Sequence, residues 1–444
     1  MTKYVVTGGK RISGEIILSG AKNAGFKALI ATLLGETPSL ICRLGLISEI
    51  DFAKEVITSL GGSVVAQADP HCLVVDPTGL KSYSVPYEIG SKSRSVTMYV
   101  GPLLKKFGKA VLPTPGGDPI STRPIDRHID GLTALGAKVE FREGAYHVEA
   151  TYGLIGTTFR FKKNTHTGTE MLLMCAVWAK GETILENAAA EPEVDDLITL
   201  LNSMGARIMR LDSRTIRIVG VEKLRGVTHA VMLDRIEAAT FACMALATKG
   251  DVTVVGADPL VLTSFLEAVN EAGGRWEKVA NGIRFWFEKP LKPTQITAAL
   301  YPRFMTDWQP VWTAMMTQAE GVSTVHETVY ERRFAHIEDL TKMGGKFEFF
   351  NPEVTDPEAI YNFNLEDDKP ENKHAVRIFG PAKLSGQEIE INDIRRGATI
   401  LLAGMTAAGK TAISDPKDQI KRGYEDLVGR LKQLGASIDV EVSI

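Results

Sequence analysis

The sequence predicts an α/β protein of two domains, built from six copies of one βαβαββ-type unit with three copies in each domain. Apolar helical runs end at glycines that lead directly into β-rich segments, at a spacing of roughly 70 residues. These glycines are Gly35, Gly108, Gly181, Gly250, Gly321 and Gly409. A second helical run and strand pair follow each of them, with further glycines at Gly61, Gly136, Gly205, Gly273, Gly344 and Gly435. Each copy therefore reads helix, strand, helix, strand, turn, strand.

The chain length allows full cores for both domains, since it has 444 residues of which 44% are hydrophobic. The predicted domains are 22–232, with repeats 1 to 3 and a mobile loop at 113–124, and 1–21 plus 233–444, with repeats 4 to 6. The spacing widens between the fifth and sixth copies. The excess lies in 351–374, which contains NLEDDKPENKH and is predicted to be a surface insertion.

Charge and composition favour a small ligand over a polymer. A net charge of −3 gives no general attraction to nucleic acid or to an anionic membrane, so an anionic ligand needs a local basic site. The four cysteines form no Cys/His cluster and indicate neither a zinc site nor a disulfide framework. The N-terminus lacks an apolar signal core and no apolar run is long enough to span a bilayer. We expect a cytoplasmic protein without a metal, an organic cofactor or an obligate protein partner.

Residues 404–411, GMTAAGKT, match the phosphate-loop pattern GxxxxGK[ST]. That loop requires a strand before it and a helix after it. Here the preceding segment is helical in composition and the following KTAISD is strand-like. The repeat therefore predicts that Gly409 ends a helix and that Lys410 and Thr411 lie in a strand.

Two connections recur in every copy and are not dictated by packing. The first opens the first helix, where Lys22, Arg94 and Arg395 would make anion sites at helix starts. The second joins a strand to the second helix. In the second copy this connection has four prolines and two glycines between Pro113 and Pro124, which predicts an exposed loop carrying Asp118 and Arg123. The alternative for the three cations is that they are simply solvated at helix starts. The alternative for the proline-rich segment is that it is an ordinary turn.

Eight collinear segments resemble the UDP-N-acetylglucosamine 1-carboxyvinyltransferases of the enolpyruvyl transferase family. They are SGAKN (19–23), PGGDPISTRPID (115–126), ENAAAEPE (186–193), DRIEAAT (234–240), TDWQ (306–309), ETVYERRF (327–334), NDIRRGA (392–398) and KRGYE (421–425). The resemblance implies an inside-out α/β barrel fold of two domains that face each other across a cleft. It also implies transfer of the enolpyruvyl group of phosphoenolpyruvate to the 3-hydroxyl of UDP-N-acetylglucosamine, the first committed step of peptidoglycan synthesis.

The resemblance also implies roles for individual residues. Asp307 would take the proton of the sugar hydroxyl and Asp118 would protonate phosphoenolpyruvate. Glu191 and Asp393 would orient arginines, with a direct part in the chemistry as the alternative. Phosphoenolpyruvate would be bound by Lys22, Arg94, Arg123, Arg333, Arg395 and Arg422, with Lys22 and Arg395 also counted as catalytic. The nucleotide sugar would be bound by Asn23, Arg94, Arg123, Pro124, Ile125, Asp126, Arg127, His166, Thr167, Gly168, Asp307 and Val329.

Two positions depart from the family pattern. Most members carry cysteine where Asp118 stands, so we expect resistance to fosfomycin, which alkylates that thiolate. As an acid, Asp118 would have to be neutral, although free aspartate has a pKa near 3.9. Substrate anions and desolvation would raise this pKa and Arg123 would lower it. Members usually have lysine at the position of Asn164 and serine at that of His166, which leaves open another acceptor, such as a different nucleotide or a shikimate phosphate. A non-catalytic paralogue that binds nucleotide sugar is the second alternative.

Overall fold

The computed structural model describes residues 2–117 and 121–442. The chain forms two compact units. The described part of the N-terminal unit is 20–117 and 123–232, and that of the C-terminal unit is 2–19, 121–122 and 233–442. The predicted domain bounds, 22–232 and 1–21 plus 233–444, stay a prediction. The sequence did not indicate that loop residues 121–122 group with the C-terminal unit.

The N-terminal unit contains repeats 1 to 3. Its helices are Lys22–Ala31, Ser48–Ser59, Tyr87–Gly90, Val100–Phe107, Asp126–Ala134, His166–Ala176 and Pro192–Ser203, with 3₁₀ turns at Thr32–Leu34 and Arg94–Tyr99. Its strands are Ser39–Cys42, Ser63–Ala66, Leu73–Asp76, Lys109–Pro113, Lys138–Arg142, Ala145–Glu149, Thr158–Arg160, Glu182–Glu186, Arg207–Asp212, Thr215–Val219 and Thr228–Ala230.

The C-terminal unit contains repeats 4 to 6. Its helices are Arg235–Ala247, Thr263–Glu271, Gln309–Met316, His336–Lys342, Pro357–Ile360, Ile394–Thr406, Gln419–Gly423 and Leu427–Gln433, with 3₁₀ turns at Pro259–Val261 and Leu365–Asp367. Its strands are Thr2–Thr7, Ser13–Ile17, Asp251–Val255, Arg275–Val279, Gly282–Trp286, Gln295–Ala298, Gly321–Glu327, Lys346–Phe350, Ala375–Gly380, Glu388–Glu390, Lys410–Asp415 and Ser437–Val442. None of the described helices is both long and apolar enough to cross a bilayer.

Five of the six repeats form a four-stranded sheet with the same order and directions of strands, in agreement with the predicted βαβαββ-type unit. In repeat 3, Thr158–Arg160 runs parallel to Glu182–Glu186, which pairs antiparallel with Thr215–Val219, and Arg207–Asp212 forms the other edge. The parallel pair is joined through the first helix, as a parallel connection requires. The sheet of repeat 2 has three strands. In place of the fourth strand of the other sheets, it has a single parallel β-bridge between Ser84 and Val111.

Distant segments complete the terminal sheets. Thr228–Ala230 lies parallel to Ser39–Cys42 and so completes the sheet of repeat 1. Thr2–Thr7 lies between Lys410–Asp415 and Ser437–Val442, antiparallel to both, in the sheet of repeat 6. Both units are therefore closed by strands from far along the chain.

The two helices of a repeat differ in burial, and this difference places the site residues. All residues of the first helix of repeat 4, Arg235–Ala247, are buried, as expected for a helix that is apolar on all sides. The second helix of repeat 3, Pro192–Ser203, buries one side only. Because the first helices form the core of each unit, polar side chains at their starts are positioned by rigid surroundings.

The predicted helix-ending glycines behave as expected at four of the six first helices, where φ is positive. Gly35 is an exception, with φ of −76°, because a 3₁₀ turn ends that helix. At Gly250 the left-handed residue is instead Lys249, with φ of 57°, and a Cβ on Gly250 would meet the carbonyl oxygen of Ile12 at 2.1 Å. The prediction is therefore wrong in conformation at these two positions, although the helices end there.

The phosphate-loop match is excluded by the fold. Helix Ile394–Thr406 precedes Gly409, and strand Lys410–Asp415 follows it, which is the reverse of the order that a phosphate loop needs. Gly409 has φ of +84°, as predicted for a residue that ends a helix.

The insertion 351–374 is not wholly a surface segment. Tyr361 and Phe363 are buried and their rings stack with centroids 4.9 Å apart. The amide of Asn362 donates to the carbonyl oxygen of Thr328, 2.7 Å away. The insertion therefore packs against the segment that carries Val329, a contact that its acidic composition did not predict.

Cys42 and Cys72 form a disulfide, so the expectation of no disulfide is wrong for this pair. Strands Ser39–Cys42 and Leu73–Asp76 are antiparallel, and their register places the two cysteines opposite each other. Their Cα atoms are 4.0 Å apart. Because the two cysteines are 30 residues apart, their spacing in the sequence did not indicate that they are neighbours.

Candidate active site

The N-terminal unit places Lys22 at the first residue of helix Lys22–Ala31, with Asn23 beside it. Both side chains are half-buried. The amide of Ala21 donates to the carbonyl oxygen of Met232 at 2.8 Å, which fixes the entry of the chain into the helix. The Lys22 Nζ lies 6.0 Å from the centre of the Phe26 ring. The predicted cation is thus held at a helix start, where the free amides also favour anions.

Arg94 and Arg123 approach each other at the proline-rich loop. A Cβ on Gly117 would lie 3.1 Å from Cγ of Arg94 and 3.8 Å from Nη1 of Arg123, so both side chains pass this glycine. Gly117 has φ of +117°, which only glycine adopts without strain. Arg123 itself is left-handed, with φ of 48°. Asp118, the predicted acid, lies outside the described residues.

The loop leads into helix Asp126–Ala134, with Pro124 and Ile125 just before it. Asp126 is the first helical residue. Arg127 follows, and its Nη1 donates to the carbonyl oxygen of Asn164 at 2.9 Å. Residues 123–127 (RPIDR) are thereby connected to residues 164–168 (NTHTG) of the next repeat.

The NTHTG segment opens helix His166–Ala176. The hydroxyl of Thr165 accepts the amide N–H of Gly168 at 3.1 Å, which caps the helix. The hydroxyl of Thr167 lies 3.1 Å from Nε2 of His128, whose pKa burial lowers to about 3, so that this ring is neutral. Asn164 is 2% exposed and its amide nitrogen donates to the carbonyl oxygen of Asn187. The Asn164 side chain therefore donates a hydrogen bond to the backbone of the N-terminal unit.

His166 meets two buried ionisable groups that sequence reasoning missed. Its Nε2 lies 3.2 Å from Oε1 of Glu170 and 3.3 Å from Nζ of Lys27. Lys27 also forms an ion pair with Oε2 of Glu170. Glu191 is buried nearby, and its Oε2 has no hydrogen-bond partner within 2–117 and 121–442. The sequence did not indicate a partner for Lys27, because its neighbours in helix Lys22–Ala31 are apolar.

In the C-terminal unit, Asp307 accepts hydrogen bonds from two arginines. Its Oδ1 accepts from Nη2 of Arg333 at 3.3 Å and from Nε of Arg395 at 3.2 Å. The side chains of the arginines are 3% and 8% exposed, whereas that of Asp307 is 28% exposed. The carboxylate therefore faces outward from two fixed guanidinium groups.

Each of these arginines has further partners. Burial opposes the charge of Arg333, but Asp393 and Asp307 outweigh it, so the pKa of Arg333 is raised. Nη1 of Arg333 lies 3.7 Å from Oδ2 of Asp393. Asp393 also accepts the amide N–H of Arg395 at 2.7 Å and so caps helix Ile394–Thr406. Nη1 of Arg395 donates to the hydroxyl of Tyr424 at 3.0 Å. The arginines are thus positioned before any substrate arrives.

Val329 lies next to a buried acid that the sequence did not single out. The Val329 amide donates to Oε1 of Glu327 at 2.8 Å, and the Thr306 hydroxyl donates to Oε2 at 2.8 Å. Burial raises the pKa of Glu327 to about 7, although these hydrogen bonds and Arg333 oppose the rise. Glu327 therefore connects Val329 with the segment that leads to Asp307.

Arg422 lies on the short helix Gln419–Gly423 and is half-buried. The helix start is fixed by Asp415, whose carboxylate accepts the amides of Gln419 at 2.7 Å and Ile420 at 3.0 Å. Tyr424, the residue that follows this helix, contacts Arg395. The structure thus places Arg422 two residues from a partner of Arg395.

Glu331 binds the end of the loop. Its Oε1 accepts from the amide of Thr122 at 2.7 Å and from the Thr122 hydroxyl at 3.0 Å, and its Oε2 accepts from the Ser121 hydroxyl at 2.5 Å. Glu331 is 2% exposed. The sequence segment YERRF contains this glutamate, but nothing local indicates that its partners are over 200 positions away.

The described residues thus form two groups. The N-terminal unit holds the predicted residues of the first three repeats: Lys22, Asn23, Arg94, Arg123, Pro124, Ile125, Asp126, Arg127, His166, Thr167, Gly168 and Glu191. The C-terminal unit brings Asp307, Arg333, Asp393 and Arg395 into contact, with Val329 and Arg422 on neighbouring segments. No cluster of three or more His, Cys, Asp or Glu side chains suited to a metal occurs within 2–117 and 121–442.

Comparison with known proteins gives full-length matches. The sequence profile of the EPSP synthase (3-phosphoshikimate 1-carboxyvinyltransferase) family matches residues 6–431. The chain is 37% identical over 440 residues to UDP-N-acetylglucosamine 1-carboxyvinyltransferase 1 of Staphylococcus aureus (strain MRSA252), with 99% of each chain covered. It is 39% identical over 438 residues to UDP-N-acetylglucosamine 1-carboxyvinyltransferase 3 of Caldanaerobacter subterraneus subsp. tengcongensis, again with 99% of each covered. The crystal structure of the enolpyruvyl transferase NikO from Streptomyces tendae superposes with a TM-score of 0.86 at 22% identity, over 100% of this chain and 99% of that chain.

Proposed function

Because the chain belongs to the EPSP synthase family of enolpyruvyl transferases, we propose that it transfers the enolpyruvyl group of phosphoenolpyruvate to the 3-hydroxyl of UDP-N-acetylglucosamine. Two full-length relatives that carry this name, at 37% and 39% identity, support the choice of acceptor. The product of this step is committed to peptidoglycan, and hence to bacterial cell shape and division. The proposed compartment is the cytoplasm.

The observation that carries the proposal is the placement of Asp307 against Arg333 and Arg395. An ionised carboxylate that is partly exposed can accept the proton of a sugar hydroxyl. A guanidinium group can donate two parallel hydrogen bonds to the oxygens of one phosphate or carboxylate group, so these two buried arginines suit an anion. A base and an anion site therefore occur together, as an acceptor hydroxyl and phosphoenolpyruvate require.

The proposed reaction is addition followed by elimination. C3 of phosphoenolpyruvate gains a proton from Asp118, the hydroxyl oxygen forms a bond to C2, and Asp307 takes the hydroxyl proton. In the elimination, the Asp118 carboxylate takes back a proton from C3, the C2–C3 double bond forms again and the bond from C2 to the phosphate oxygen breaks. The proton held by Asp307 leaves with the phosphate. Lys22, Arg94, Arg123, Arg333, Arg395 and Arg422 are assigned to the charges of phosphoenolpyruvate and of the departing phosphate. With aspartate at position 118, no thiolate is available there to fosfomycin.

The experiment is phosphate release from phosphoenolpyruvate with UDP-N-acetylglucosamine, followed by the same assay with other nucleotide sugars and with shikimate 3-phosphate. Loss of a general base lowers turnover by about 10²- to 10⁴-fold, so Asp307→Asn should do so. Asp439→Asn, at an exposed aspartate of the last strand, is the matched control. Release with another acceptor alone would replace the acceptor in this proposal. Nucleotide-sugar binding without release from any acceptor would favour a non-catalytic binding protein.

A further inference from the structure

The disulfide of the N-terminal unit is partly exposed. Cys42 and Cys72 are both half-buried, and Sγ of Cys72 lies 3.7 Å from Oδ2 of Asp69, which belongs to an exposed turn. The other two cysteines of the chain, Cys175 and Cys243, are buried thiols. A thiol reagent in solution therefore reaches the disulfide, whereas the remaining sulfur atoms are covered.

The disulfide anchors residues 42–44, which lead out of strand Ser39–Cys42. The amide of Leu44 donates to the carbonyl oxygen of His71 at 2.9 Å. The amide of Val231 donates to the carbonyl oxygen of Cys42 at 3.0 Å. Because the disulfide lies between these two hydrogen bonds, it adds a covalent link that fixes residues 42–44 against the chain that follows His71.

Residues 42–44 pack against the chain on both sides of Lys22. Before Lys22, a Cβ on Gly20 would lie 1.6 Å from the carbonyl oxygen of Arg43, so only a residue without a Cβ fits there. After Lys22, a Cβ on Gly25 would lie 3.2 Å from Cδ2 of Leu44. The backbone of Lys22, the first residue of its helix, is therefore located by residues 42–44 from either side.

Reduction by a dithiol would remove this anchor. One thiolate of the dithiol attacks a sulfur of the disulfide to give a mixed disulfide, and its second thiol then displaces the cysteine. Two electrons and two protons pass to the protein, which gains two cysteine thiols, while the dithiol becomes a disulfide. The two protein sulfurs must then separate to the spacing of non-bonded atoms, roughly 3.5–4.0 Å. Residues 42–44 keep their hydrogen bonds and lose the covalent link.

We propose that the Cys42–Cys72 disulfide is a redox switch that positions Lys22 for the reaction. The oxidised protein holds Lys22 in place for phosphoenolpyruvate, and reduction lets the start of its helix shift and lowers turnover. Cys42 and Cys72 are positioning residues. The reductant is a dithiol and the oxidant is glutathione disulfide. This inference rests on the proposed reaction and compartment, because a disulfide in a reducing cytoplasm is usually transient.

The first measurement is amide hydrogen exchange of the full chain without substrates, before and after reduction with dithiothreitol. The amides of residues 20–26 should exchange faster in the reduced protein, because the contacts that locate them are loosened. Helix Ile394–Thr406 of the C-terminal unit is the internal control and should exchange equally in both states. Glutathione disulfide should restore the slower exchange, and circular dichroism should show that the reduced protein is folded.

The second measurement is phosphate release with UDP-N-acetylglucosamine. A displacement of 1 Å can cost about 10²-fold in rate, so a smaller shift of Lys22 should lower kcat/KM for phosphoenolpyruvate by about tenfold, reversibly. Cys42→Ser/Cys72→Ser should have the low value with and without dithiothreitol. If that variant does not fold, the reduced unchanged protein decides. Gln67→Ala, in the exposed segment before Cys72, is the control and should respond to reduction as the unchanged protein does.

Three results would overturn the inference. They are equal exchange of residues 20–26 in both states, unfolding of the protein on reduction, and turnover that is equal in both states of an active protein. Unfolding would mean that the disulfide only stabilises the fold. By contrast, faster exchange on reduction in a protein that releases no phosphate in either state would contradict the proposed reaction and leave the coupling of the disulfide to Lys22 standing.

Discussion

Replacement of Glu327 by glutamine should remove a pH-dependent loss of stability from the C-terminal unit. The carboxyl is buried and accepts hydrogen bonds from the Val329 amide, the Tyr330 amide and the Thr306 hydroxyl. Glutamine is nearly the same size. Its oxygen can keep the two amide bonds, and its NH₂ can donate to the threonine oxygen. The substitution therefore changes the charge and leaves most of the geometry.

The magnitude follows from the pKa of Glu327, which is about 7 in the folded protein against an ordinary 4.5. Between these values the folded state holds a proton that the unfolded state has released, so the free energy of unfolding falls as pH rises. The full contribution of the protonated carboxyl is present below pH 4.5 and is lost by about pH 7. At 1.36 kcal/mol per pKa unit, the loss is about 3 kcal/mol.

The assay is urea unfolding of the unchanged protein and of Glu327→Gln between pH 5 and 8.5. The difference in free energy of unfolding, variant minus unchanged protein, should rise with pH by about 3 kcal/mol and level off above pH 7 to 8. Glu441→Gln, at an exposed glutamate, should give a constant difference. Parallel curves for Glu327→Gln and the unchanged protein would refute the reasoning, since Glu327 would then titrate alike in both states.

Three further predictions concern the loop, the disulfide and the acid. Glu331→Ala removes three hydrogen bonds to the loop and should lower phosphate release by roughly 10- to 100-fold, taking about 1.5–3 kcal/mol for bonds to a charged group; unchanged activity, equal to that of the exposed control Glu338→Ala, would contradict this. Reduction of the Cys42–Cys72 disulfide, whose partners are 30 residues apart, should lower the free energy of unfolding by about 3–4 kcal/mol, measured with and without dithiothreitol; an equal response of the double serine variant would count against it. Fosfomycin should leave the protein without a covalent adduct by mass spectrometry and should modify Asp118→Cys, and an adduct on the unchanged protein would show that the resistance proposal is wrong.

The sequence predicted the repeat and the helix starts because both are local patterns. Lys22 and Arg395 stand next to helix signals that recur in every copy, and the structure places them at those helix ends. The prediction that no phosphate loop forms at Gly409 was correct for the same reason. The composition of the short segments on either side indicates a helix before the glycine and a strand after it.

The missed contacts join residues that only the folded chain brings together. Glu331 and Ser121 are separated by 210 positions, and Lys27 and His166 by 139. No spacing rule links such positions, and a lysine within an apolar helix carries no local sign of a partner. Cys42 and Cys72 became neighbours only through strand register. The positions of Lys22 and Arg395 at helix starts were therefore predictable from local pattern, and the contacts made from another repeat were not.

The strand Thr2–Thr7 has a consequence for synthesis of the chain. Its register partners include Asp415 and Val442, which follow it by more than 400 positions. During synthesis this sheet cannot be completed before Val442 has been made, whereas the described residues of the N-terminal unit all lie between 20 and 232. All segments of the N-terminal unit are therefore made while Thr2–Thr7 still lacks its two neighbouring strands. Deleting Thr2–Thr7 would accordingly remove the central contact between two strands of the C-terminal unit that lie far from it in sequence.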